Sequence, residues 1–194
     1  NLICFKNLRS NSEFPVSKIK SMKVYAISGL GADHRVFQNL TLNYELVHLA
    51  WISPSKGESI EKYATRLSRS IDTSEDFGII GVSFGGLVAV EISKMLKPSQ
   101  TILVSSVEVL TEIPLLYRFI GKTGLLKLIP SSLFTLPTPL ACWLFGTKNK
   151  KILSSILRDA DLKFYKWAIN ELITWKNQTR INCCKISGNK DKLF

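Results

Sequence analysis

The chain has 194 residues, of which 45% are apolar and 21% charged, with a formal net charge of +11. That length suits one domain with a sizeable core, and the apolar share excludes a disordered chain. Four cysteines are too few for a disulfide-stapled mini-domain, and no apolar run reaches the roughly 18 residues of a membrane span.

The charge is uneven. Residues 1–21 hold four bases against Glu13, residues 22–110 eight bases against nine acids, and residues 111–194 fourteen bases against five acids. The excess therefore sits in the C-terminal part, but its lysines and arginines are scattered and form no run of five or six. No zinc-finger or RNA-recognition pattern accompanies them, so a solvated basic surface is expected and nucleic acid is not an expected partner. Apolar segments with lysines nearby also raise association with an anionic membrane surface through residues 111–176. Integral membrane insertion is not expected, because the greasiest stretch, Leu125 to Phe145, is broken by Lys127, Pro130, Pro137 and Pro139.

Residues 1–21 show neither clear periodicity nor a signal peptide and read as a flexible or extraneous segment. From Met22 strands and helices alternate. Val24–Ser28 is a short apolar run closed by Gly29, a buried strand. A short helix is expected over Asp33–Leu40 and a second strand over Tyr44–Trp51, followed by the loop markers Pro54 and Gly57. Glu58–Ile71 places Ile60, Tyr63, Ala64, Leu67 and Ile71 at helical spacing, which makes an amphipathic helix. Phe77–Val82 is another buried strand, Gly85–Lys97 a helix stopped before Pro98, Thr101–Ser106 a fourth strand and Ile181–Ser187 a fifth. This alternation predicts a mostly parallel α/β sheet flanked by helices. Between the last two strands the rhythm breaks. Short helices are expected there, at Ile113–Phe119, Leu125–Leu128, Leu140–Phe145, Lys151–Leu157 and Leu162–Trp175, as a helical insertion between two strands over about 108–176.

The chemistry concentrates at Gly81-Val82-Ser83-Phe84-Gly85-Gly86. Gly-x-Ser-x-Gly between a buried strand and a helix is the setting of a nucleophile elbow. A sharp turn holds Ser83 in a strained conformation, and side chains at positions 81 and 85 would collide across it. The helix N-terminus favours negative charge developing at the serine. Strand Val24–Ser28 runs into Gly29-Leu30-Gly31-Ala32-Asp33, a turn that can aim an amide at an oxyanion, from Leu30 or its neighbour, with the Phe84 amide as second donor. As a dinucleotide fingerprint this turn lacks the third glycine, and Gly121-Lys122-Thr123 lacks the first glycine of a phosphate-binding loop, Leu116 standing there.

A serine nucleophile requires a base oriented by an acid. The preferred acid is Asp191, in the turn after the fifth strand, with Glu108 as competitor. The chain's two histidines, His34 and His48, both precede Ser83. His48 reads as a packed or edge residue of its strand, and His34 as a turn or first-helix residue, with a place near the pocket rim as the other reading. No pair of His or Cys sits at metal-ligand spacing, so neither metal nor cofactor is expected.

With SGLGADHRVF, GVSFGG and ISGNKDKLF in this order, residues 22–194 resemble the α/β-hydrolase superfamily. The resemblance implies Ser83 as nucleophile, Asp191 as triad acid, Leu30 and Phe84 amides as oxyanion hole, Gly81 and Gly85 as elbow glycines, and a cap shaping a pocket for a small-molecule substrate with an apolar part. It also implies a histidine, a last strand and a final helix with no counterpart here, so the chain is expected to be a fragment that is weakly active or inactive by itself. The implied activity is serine hydrolysis of an ester, amide or similar acyl bond. The alternative is a non-catalytic relative that binds a small apolar ligand or a protein partner. Thiols and the lack of an export signal point to the cytoplasm.

Overall fold

The computed structural model describes residues 22–123 and 161–188. Five strands, β1 (Lys23–Ile27), β2 (Glu45–His48), β3 (Phe77–Val82), β4 (Gln100–Val104) and β5 (Cys183–Ile186), form one sheet in the order β2-β1-β3-β4-β5. Every pairing is parallel, with Tyr25 opposite both Val47 and Ile79, Ile80 opposite Ile102, and Leu103 opposite Lys185. Because parallel strands are covered on both faces, β1, β3 and β4 read as continuous apolar runs. Tyr25, Ile27, Phe77, Ile79 and Leu103 enter the larger core cluster, whereas Val24, Ala26, Ile80 and Ile102 enter the smaller one. Alternation along each strand sends neighbours to opposite faces.

Helices α1 (Ile60–Leu67), α2 (Phe84–Leu96), α3 (Leu115–Thr123) and α4 (Leu162–Thr174) complete the described elements, with short 3-10 turns at His34–Phe37, Ser68–Ser70 and Leu110–Glu112. Helix α1 buries Ile60, Tyr63, Ala64 and Leu67 on one side, as its spacing predicts. Helix α2 is different. Phe84 through Ser93 are all buried, because it lies between the sheet and α1, and this explains its weak amphipathic pattern. It ends with Lys97 in the left-handed conformation, one residue before Pro98.

Helix α4 and the residue that follows it, Trp175, are tied to this core at three points. The Trp167 indole donates to the Glu58 carbonyl (2.7 Å), the Ile60 amide donates to the Glu171 carboxylate (3.0 Å), and the Trp175 indole donates to Glu91 (2.8 Å). Helix α3 packs against α4.

Most expected elements stand within a few residues of their sequence boundaries. The expected helix over Asp33–Leu40 is instead one 3-10 turn, and the helix expected over Ile113–Phe119 runs from Leu115 to Thr123. Pro114 explains the later start, since its fixed φ suits the entry to a helix and restrains Ile113 from joining it. Helices expected at 125–128, 140–145 and 151–157, and the segment 1–21, lie outside the described residues. Cys183 is free, but Cys184 is disulfide-bonded, which removes the thiol argument at that residue.

Candidate active site

In an open parallel sheet, a crevice forms where loops leave neighbouring strands in opposite directions. Here that point is between β1 and β3: the chain passes from β1 outward to β2, and from β3 outward to β4. The loop after β1 carries Gly29 to Ala32, and the loop after β3 carries Ser83. The two loops touch. A Cβ on Gly29 would stand 3.5 Å from the Ser83 Cβ.

Ser83 has φ 51 and ψ −121, a conformation that non-glycine residues rarely adopt. Three hydrogen bonds hold it there. Its amide donates to the Val104 carbonyl (2.9 Å), and its own carbonyl accepts from the Gly86 amide (2.8 Å) and the Ser106 hydroxyl (2.7 Å). The elbow is thus anchored to the end of β4. Its glycines are required by contact: a Cβ on Gly81 would lie 2.6 Å from the Gly85 carbonyl oxygen, and one on Gly85 would lie 2.6 Å from the Ile27 carbonyl oxygen. Both obstacles are backbone and cannot swing aside.

The glycine loop is a tight turn closed by the Ala32 amide donating to the Gly29 carbonyl (3.0 Å), with Gly31 at φ +72. Further bonds to the Ala32 carbonyl, from the Ser28 hydroxyl (2.7 Å) and the Trp51 indole (3.2 Å), fix its position. Among the described residues no carbonyl outside the regular elements accepts from the Leu30 or Phe84 amide. Phe84 is the first residue of α2, where amides have no partner within the helix. Its side chain is 2% exposed and packs against Trp51, Phe164 and Trp167 at ring-centroid distances of 5.8, 6.4 and 5.8 Å. That packing immobilises the backbone carrying the amide.

Beside the glycine loop opens a cavity of about 380 Å³, lined among others by Gly31, His48, Trp51, Phe164 and Tyr165. The two histidines belong here, with ring centroids 6.0 Å apart. Burial, aided by the neighbouring His34, pushes the His48 pKa down. Among the described residues, no hydrogen bond joins either histidine to Ser83, and the His48 Nε2 atom is buried without a partner. His34 thus stands at a pocket rim as its position in the turn suggests, and His48 packs at the end of β2 against Phe37.

Asp191 lies outside the described residues. Its competitor Glu108 is fully committed elsewhere: it is 3% exposed, pairs with Arg180 (2.9 Å) and Lys185 (3.2 Å), and accepts the Ile181 amide (2.7 Å). Glu108 therefore ties the segment before β5 to the chain that follows β4. Trp51, Phe164 and Tyr165, which wall the cavity beside the glycine loop, had no signal in the sequence beyond being apolar. Among the described residues no cluster of three or more His, Cys, Asp or Glu could hold a metal ion.

The geometry defines a class of fold: the chain has the α/β-hydrolase fold. Among solved structures it is similar to the RedJ thioesterase from the prodiginine pathway of Streptomyces coelicolor (TM-score 0.58, 12% identity, 92% of this chain and 76% of that one). It is also similar to a lipase-esterase related protein from Clostridium acetobutylicum (TM-score 0.51, 16% identity, 80% and 66%). A third similar structure is the bottromycin epimerase BotH (TM-score 0.59, 13% identity, 89% and 74%). The chain therefore spans about two thirds to three quarters of the length of these structures. No family model matches the sequence, and no curated protein matches it. No described helix is long and apolar enough to cross a membrane.

Proposed function

We propose that the chain is the core of a serine hydrolase that cleaves an ester, amide or similar acyl bond through an acyl-enzyme at Ser83. The observation that carries this reading is the backbone of Ser83, held at φ 51 beside the glycine loop at the switch point of the sheet. Strain at one polar residue, over-determined by its surroundings, is characteristic of sites where geometry serves chemistry. The Ser83 hydroxyl would attack the carbonyl carbon as a base takes its proton, and the Leu30 and Phe84 amides would receive the developing oxyanion. Collapse would break the ester or amide bond, the base would protonate the departing alcohol or amine, and water would then release the acid from the serine. Asp191 would orient the base that takes the serine proton. The substrate is a small molecule with an apolar part, received in the cavity walled by Trp51, Phe164 and Tyr165. A fluorophosphonate probe should label Ser83, and Ser83→Ala should abolish the label; persistent labelling of that variant at another residue overturns the assignment.

One observation favours a second reading, a non-catalytic binder of a small apolar ligand. Both histidines of the sequence line the cavity whose lining does not include Ser83, and among the described residues neither is hydrogen-bonded to that serine. Complete inertness of Ser83 toward the probe, together with saturable binding of an apolar dye that Trp51→Ala abolishes, would select it.

A further inference from the structure

Helix α3 presents two unlike faces. Tyr117 turns inward against the main core, and Gly121 lies so close to α4 that a Cβ would run into the Ile173 backbone. The outward face carries Leu115, Leu116 and Phe119, which are 76%, 66% and 68% exposed. Other exposed large apolar residues, such as Val36 and Met95, are far less exposed and sit on other elements. Three large side chains concentrated on one helical face is a different matter from scattered single ones.

One border of this stripe is cationic. At 100° per residue, Lys122 and Arg118 fall beside Leu115 on the same side of the helix. Neither makes an ion pair among the described residues, and the helix contains no acidic residue. By contrast, the basic residues near β5, Arg180 and Lys185, are paired with Glu108 and Glu112. An apolar ridge with unpaired cations beside it matches a bilayer interface bearing anionic headgroups: hydrocarbon takes the ridge and lipid phosphate takes the cations. An acidic protein groove would offer the charge but would leave no reason for three neighbouring apolar side chains to stand free.

We propose that the outward face of α3 docks the protein on anionic membrane surfaces, with Leu115, Leu116 and Phe119 entering the interface and Arg118 and Lys122 meeting headgroup phosphates. This docking is independent of the reaction at Ser83.

The test is vesicle flotation of the full chain, with phosphatidylcholine vesicles compared against vesicles containing one-third phosphatidylglycerol. A cation at an anionic surface strengthens binding about fivefold, so two should give about 25-fold tighter association with the anionic vesicles. A double variant, Leu116→Glu with Phe119→Glu, should lose flotation on both, while its thermal unfolding stays unchanged because both side chains are exposed. Arg118→Glu with Lys122→Glu should abolish the preference for anionic lipid. The proposal is overturned if the wild-type chain stays unbound, if the Leu116/Phe119 variant floats as well as wild type, which would assign binding to diffuse basic charge, or if the wild type is a dimer that this variant converts to monomer, which would assign the ridge to a second copy.

Discussion

The Tyr165 hydroxyl lies directly against Gly31: a Cβ added to that glycine would fall on top of it. Helix α4 thus rests on the loop that adjoins Ser83, and only a residue without a side chain leaves room. The tyrosine is 4% exposed, its hydroxyl has no hydrogen-bond partner among the described residues, and burial pushes its pKa up to about 12. Removing an unsatisfied buried hydroxyl while keeping the ring relieves a desolvation penalty. Tyr165→Phe should stabilise the fold by about 1 kcal/mol in urea denaturation. Gly31→Ala meets both the ring and the cost of φ +72, and should destabilise by at least about 2 kcal/mol.

At the elbow, stability and chemistry should move in opposite directions. Ser83→Gly removes the side chain from a strained conformation worth on the order of 1–3 kcal/mol, offset by about 0.5–1 kcal/mol of added chain entropy. The expected outcome is a chain more stable by about 1 kcal/mol and silent toward the fluorophosphonate probe. Gly81→Ala, which drives a methyl into the backbone of residues 85 and 86, should cost about 2–3 kcal/mol. Equal stability of these two variants would show the elbow to be slack.

Glu108 gives a test that separates structure from catalysis. Glu108→Ala strips the buried partner from Arg180, Lys185 and the Ile181 amide, and should lower unfolding free energy by about 2–4 kcal/mol. The rate of Ser83 labelling in the folded fraction should not change. A labelling rate reduced more than about tenfold would instead make Glu108 the acid that orients the base.

Acid should weaken the fold in a defined window. Burial tends to raise the Glu112 pKa, but the Glu108 amide and Lys185 outweigh it, so the carboxyl sits below its ordinary 4.5. The Arg35 guanidinium holds Asp33 down to about 2 against an ordinary 3.8. Both groups bind fewer protons folded than unfolded, so the stability they give is complete above pH about 4.5 and is lost as pH falls toward 2. Glu112→Gln should flatten the upper part of that decline in denaturation curves measured across the range.

Because His34 and His48 line a cavity whose lining does not include Ser83, and neither is hydrogen-bonded to that serine among the described residues, alanine at either should leave the labelling rate of Ser83 within about twofold of wild type. A loss of more than tenfold at one of them would mark that histidine as the base.

Much of this fold is legible without coordinates because its signals are local. Apolar runs such as Phe77–Val82 mark strands buried on both faces, Pro98 stops α2, and glycines at 81 and 85 with a serine between them announce a sharp turn. The segment from Asp33 to Leu40 misleads for a local reason too: its apolar residues Val36, Phe37 and Leu40 have helical spacing, yet only Phe37 is buried, and one anchor secures a single turn rather than a helix. Glu108 could be read as an acid candidate from its place after β4, but its ion partners lie about 70 residues further along the chain.

What the sequence by itself determined is the order of strands and helices and the sharp glycine-flanked turn at Ser83, since hydrophobic period, turn residues and backbone sterics act over a few neighbouring positions. Tertiary structure alone decided that Gly29 meets Ser83, that Tyr165 covers Gly31, that Glu108 serves as a tie between segments, and that Leu115, Leu116 and Phe119 face outward. Those relationships join residues distant in the chain, and packing in three dimensions selects such partners with no trace in local spacing.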